Sequence, residues 1–177
     1  AYTYVFEDYQ RTRVNVFLGI EEDTLGAGYN ILQSKIAIGA AGLTGEGFNQ
    51  GSQAQLDYLP EKHTDFIYTM IVEEFGFVGG VMLLLLYLAL MGTMLAVTFQ
   101  TKAFFSKLAV GGVASMLGSY VFINNAMVMG LVPVVGVPLP FVSYGGSAMA
   151  TMMIGVAIVL SCHAYRREAV EMYSPLV

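Results

Sequence analysis

The residues best equipped for chemistry are crowded into LPEKHTDFIYTMIVEEFGFVGG, residues 59–80, which holds four acids, a lysine and one of only two histidines in the chain. Directly behind it comes the apolar run VMLLLLYLALMGTMLAV. Pro60 suits the first turn of a helix and Glu61 favours its positive end. On such a helix Glu61 and Asp65 lie four residues apart on one face, with Thr69 and Glu73 further along that side and Lys62 and His63 beside them. A carboxylate at a membrane edge is partly desolvated, which raises its proton affinity toward that of a useful general base. Two readings stay open on this ground alone: a reactive acid cluster, or a solvated helix cap with Glu73 and Glu74 marking the membrane boundary. Glu61, His63 and Asp65 do not make a zinc site, because the usual ligand number and spacing are missing. A Mg²⁺ or Mn²⁺ held by carboxylates and a substrate phosphate stays open, with no cofactor demanded. Neither a Ser-His-Asp set nor a phosphate loop can be assembled, and the lone Cys162 excludes an internal disulfide.

The elements that must position this cluster belong to a membrane. Hydrophobic residues make up 56% of the 177 residues and charged ones only 12%, against about 25% charged in a soluble domain. Three segments have the roughly 20 apolar residues that a membrane helix needs. They run from Phe66 or Phe75 to Phe99, from Leu108 to Val132, and from Val142 to Tyr165. Lys102 and Lys107 lie between the first two, Arg166 and Arg167 follow the third, and GLVPVVGVPLP between the last two has no charge. The positive-inside rule therefore assigns residues 100–107 and 166–177 to the cytoplasm, and residues 1–65 and 133–141 to the outer side. Up to Glu74 there are 11 acids and 4 bases; from Phe75 onward, 2 acids and 4 bases. The net charge of −5 gives no sign of a nucleic-acid partner.

Within the outer part, YNILQSKIAI has Tyr29, Leu32 and Ile36 at helical spacing, and a short helix is favoured there over a strand. In the last span Ser143, Ser147, Thr151 and Gly155 recur every four residues, a stripe on which another helix can pack closely. Ser115, Ser119, Asn124 and Asn125 in the middle span must face protein or a watery cavity, structural hydrogen bonding being favoured over substrate contact. PVVGVPLPFVSYGG, rich in proline and glycine, reads equally as a rigid hairpin or as the wall of a substrate groove. AYTYVF at the start reads as the tail of something longer.

Four stretches in order, YQRTRVNVFL, EDTLGAGYNILQSKIAIGAAGLTGEGF, GSQAQLDYLPEKHTDFIYTMIVEEFGFVGG and PVVGVPLPFVSYGGSA, resemble the SEDS family (shape, elongation, division and sporulation). QSKIAIG, GSQAQLDYLPEKHTDF and VVGVPLPFVSYGG look more like its elongation branch, RodA, than its division branch, FtsW. The resemblance implies an all-α integral membrane protein, this chain matching the last part of a ten-helix fold: the end of one span and the large outer loop (1–65), then spans at 66–99, 108–132 and 142–165. It implies a peptidoglycan glycosyltransferase in the bacterial cytoplasmic membrane, polymerising lipid II at the outer face beside a class B penicillin-binding protein. By that resemblance Asp65 is the base. Glu61, Lys62, His63, Arg11, Arg13, Lys35 and Ser143 are candidates for substrate contact, the bases among them for offsetting diphosphate charge. The rival readings are a flippase for the lipid-linked precursor and a non-catalytic partner of the penicillin-binding protein. With its first six helices missing, the chain is expected to be inactive alone.

Overall fold

The computed structural model describes residues 8–18, 20, 26–48, 50 and 64–166. All regular structure among them is helical: α1 Asp8–Phe17, α2 Ala27–Ala40, α3 Ile67–Gln100, α4 Phe104–Val128 and α5 Gly146–Ala164. The last three are long and apolar enough to cross a membrane. At 1.5 Å per residue the stretch of α3 from Phe77 to Gln100, beyond a break at Gly76, is about 36 Å long, enough for a bilayer core of about 30 Å.

Helices α3 and α4 form an antiparallel pair whose contact surface buries Tyr87, Met94, Val110, Ala114, Leu117 and Val121. Thr101 ends α3 by turning extended while its amide and its hydroxyl both bond to the Val97 carbonyl, at 3.0 and 2.8 Å. Helix α5 lies on α4 through Gly155, where a Cβ would meet Val113 Cγ1 at 3.1 Å.

One expectation about faces needs correction. The buried side of α5 is Met152, Gly155 and Val159, while Ser147 and Thr151 are exposed. Ser143 lies before the helix begins. The four-residue stripe therefore packs only at Gly155, because a helix advances 3.6 residues per turn and Met152 and Val159 share that glycine's face. The helix favoured around YNILQSKIAI is present as α2; it packs through Ser34, Ala37 and Ala41 and leaves Leu32 and Ile36 exposed. Ser34 is buried because its hydroxyl meets Thr69 Oγ1 of α3 at 2.7 Å and the Val128 carbonyl of α4 at 3.0 Å. One small polar side chain thus joins three helices without leaving its own group unsatisfied.

Helix α3 is broken at Gly76, which takes φ 71° and ψ −170°. Residues 42–47 supply the hydrogen bonds that the helix gives up there. Glu46 and Gly47 donate to the carbonyls of Glu73 and Glu74 at 2.9 and 3.1 Å, and Phe77 and Val78 donate to those of Gly42 and Leu43 at 3.0 and 3.2 Å. The two backbones can close this far only because Gly45 and Gly76 lack side chains: a Cβ on Gly45 would fall 2.2 Å from the Glu74 carbonyl oxygen, and one on Gly76 would fall 2.3 Å from the Gly45 amide. The segment Ile67–Phe75 is thereby separated from the membrane stretch of α3 and tied to the loop after α2.

The bundle has two chemically different ends. At one, the Lys102 amide meets the Arg166 carbonyl at 3.4 Å, so both basic connections share a side. At the other lie the turn before α3, the C-terminal part of α4 and the loop into α5.

A candidate active site at the acidic end of the bundle

Thr64, Asp65 and Phe66 form the turn that leads into α3. Phe66 is buried to 1% exposure and anchors this turn in the core, as Leu139 does for the α4–α5 loop. Between them Asp65 stays half-buried, which suits a carboxylate that has both to be held and to be reached.

Three residues, one on α4 and two on the connection from α4 to α5, meet the turn that carries Asp65. Asn124, close to the end of α4 and wholly buried, donates its side-chain amide to the Asp65 carbonyl at 2.8 Å and to the Val137 carbonyl at 2.7 Å. Because both partners can only accept, they fix which end of the amide faces them. Ser143 accepts from the Leu139 amide at 2.7 Å and donates to the Thr64 carbonyl at 2.5 Å. Gly136, at φ 74°, passes so close to the carboxylate that a Cβ there would lie 3.2 Å from Asp65 Oδ2.

The proline-rich loop is held at further points. Tyr87, inside α3, donates its hydroxyl to the Pro140 carbonyl. The next residue, Phe141, takes φ 65°, a costly conformation for a side-chain-bearing residue that persists only where its surroundings enforce it. Arg13 of α1 donates to the Val134 carbonyl at 2.8 Å. The loop thus has the rigidity of the hairpin reading and also forms a wall beside the acid. Next to it a cavity of about 720 Å³ is lined by Ile67, Phe141, Val142, Tyr144, Gly145 and Met149 among others. Its surface is mainly apolar, which suits the greasy part of an amphipathic ligand.

Of the residues expected to touch substrate, Asp65, Ser143 and Arg13 converge on this loop. Lys35, exposed on α2, runs beside the turn at Gly130, where its Nζ lies 2.5 Å from the place of a Cβ. Arg11 is half-buried on α1. Glu61, Lys62 and His63 lie outside the described residues. The hydroxyl proton of Ser143 is committed to backbone, and the structural role favoured for Asn124 and Asn125 has geometric support, Asn125 donating to the Val121 carbonyl at 2.8 Å. Ser115 and Ser119 are exposed on α4. Sequence reasoning passed over Gly136 and Tyr87; a glycine between two prolines was the available signal for the first, and a lone tyrosine in LLLLYLAL for the second. Among the described residues no three His, Cys, Asp or Glu side chains come together as a metal site.

Residues 1–168 match the family model for the cell cycle proteins FtsW, RodA and SpoVE. The peptidoglycan glycosyltransferase MrdB of Escherichia coli K12 is 50% identical over 164 residues, which cover 93% of this chain and 44% of MrdB. Two solved structures agree in fold. A peptidoglycan synthase complex, described as coordinating polymerization and crosslinking, contains a chain 33% identical with a TM-score of 0.73, covering 93% of this chain and 44% of that one. An aspartate-to-alanine mutant of the rod shape determining protein RodA from Thermus thermophilus is 33% identical with a TM-score of 0.61, over 76% of this chain and 41% of its own. The chain spans less than half the length of the relatives it matches.

Proposed function

From the premise that this chain belongs to the FtsW, RodA and SpoVE family, we propose that it carries the general base of a membrane-embedded peptidoglycan glycosyltransferase. The observation that carries this reading is the seating of Asp65, half-buried at the acidic end of the bundle, with its carbonyl held by Asn124 and its carboxylate against Gly136. A substrate with a lipid tail and a sugar head keeps its tail in the bilayer and its sugars in water, so a base for it belongs at that boundary.

In the proposed reaction the Asp65 carboxylate takes the proton of the acceptor sugar's 4-hydroxyl. The hydroxyl oxygen attacks the donor's anomeric carbon, and the bond from that carbon to the diphosphate oxygen breaks. The electron pair leaves with undecaprenyl diphosphate, which departs carrying one more negative charge than it had in the donor. One displacement inverts the anomeric centre. Fixing the base within hydrogen-bond reach of the hydroxyl is the main service that protein geometry supplies. Arg13 of α1, which donates to the same loop, and Lys35 beside Gly130 are suited to offset the diphosphate charge, with Arg11 and Lys62 as further candidates. The site would face outward across the cytoplasmic membrane, and a class B penicillin-binding protein would be the partner that crosslinks the strand.

The test is a chimaera in which this chain replaces the segment of Escherichia coli MrdB that it matches, given lipid II in the presence of its penicillin-binding protein. Polymer with an inverted new glycosidic bond is the expected product. A chimaera that accumulates in the membrane, binds the partner and makes no polymer, or one that retains configuration, contradicts the reading.

A further inference from the structure

Two polar side chains, Asn124 and Ser143, are spent on the backbone of the turn that carries Asp65, and that allocation has a mechanistic use. Thr64 and Asp65 are consecutive, and each offers its carbonyl to a side chain from a different element: Ser143 from the loop before α5, and Asn124 from α4. Neither contact is local, since the partners lie 79 and 59 residues away in sequence. Asn124 also holds the Val137 carbonyl, next to the Gly136 that abuts the carboxylate. Ser143 likewise holds Leu139. The same two side chains thus fix the backbone that aims Asp65 and the loop that bounds its side chain.

We propose that Asn124 and Ser143 are positioning residues for the base, a pair of clamps that set the direction of the Asp65 carboxylate relative to the loop wall. The inference rests on the reading of Asp65 as the base and adds to it which residues aim that base. A carbonyl held by one clamp alone leaves the turn a hinge about the other. Two successive carbonyls held from two elements remove that freedom, and Gly136 bounds the carboxylate on one side.

The test uses the MrdB chimaera with Asp65→Asn, Asn124→Ala, Ser143→Ala and Ser143→Thr, with kcat and KM for lipid II measured per folded molecule. A displaced base costs transition-state stabilisation while ground-state binding persists. Asn124→Ala and Ser143→Ala are therefore expected to lower kcat by about 10- to 100-fold with KM close to that of the parent. Ser143→Thr, which keeps the hydroxyl, should recover most of the loss. If Asn124→Ala does not accumulate, the comparison of Ser143→Ala with Ser143→Thr decides alone. Parental kcat in Ser143→Ala, or a loss that Ser143→Thr does not restore, overturns the clamp while an inactive Asp65→Asn leaves the base reading standing. An active Asp65→Asn overturns the base reading and the clamp with it.

Discussion

Gly136 and Asp65 are fitted to each other: the glycine's missing side chain is what leaves room for the acid, since a Cβ would sit 3.2 Å from Asp65 Oδ2. The glycine's φ of 74° adds a second reason why other residues are excluded there. Gly136→Ala is expected to introduce about 1–3 kcal/mol of backbone strain and to press on the carboxylate. Polymerisation by the chimaera should fall by about 10- to 100-fold with the membrane-inserted protein still present. A parental rate would mean that the loop does not bound the base.

The pairing of Gly45 with Gly76 makes a stability prediction that is independent of chemistry. Either glycine changed to alanine places a Cβ within 2.3 Å of opposing backbone, where no flexible side chain can yield. Each substitution should lower the thermal midpoint in detergent, and the pair should cost less than the two together, because the first already parts the strands. Parental midpoints for both single variants would show that residues 42–47 do not dock into the break in α3.

Topology is tested by the basic end. With Cys162→Ala as background, a cysteine at Ser52 should react with an impermeant maleimide added to intact cells, and one at Lys102 should react only after lysis. Protection of the first and labelling of the second would reverse the orientation. The 3.4 Å contact between Lys102 and Arg166 requires a cysteine at Arg166 to behave as the one at Lys102 does.

The membrane helices were legible because their signal is collective. A run such as VMLLLLYLALMGTMLAV outweighs any single residue. Detail depending on one residue's partner was less legible. Ser143 had the right spacing for a stripe along α5, yet it sits three residues ahead of the helix start at Gly146, where its hydroxyl serves a turn 79 residues away. The break at Gly76 lies inside a sequence that reads as continuous helix, because the bonds replacing the helical ones come from residues 42–47. Asn124 could be recognised as a buried hydrogen-bonding residue, but its two carbonyls, both distant in the chain, could not be named without the fold. Asp65 was one of four acids on physical grounds, and a resemblance singled it out. The structure adds the loop wall and the contacts that distinguish its surroundings.

The central claim is that Asp65 removes the acceptor's proton in the displacement, and the most direct measurement is lipid II polymerisation by the chimaera with and without Asp65→Asn. The amide keeps the side chain's shape and abolishes its basicity. General-base catalysis contributes about 10²- to 10⁴-fold, so the variant should fold, reach the membrane, bind its partner and lose at least about 100-fold in rate. Polymerisation within a few-fold of the parent would contradict the account.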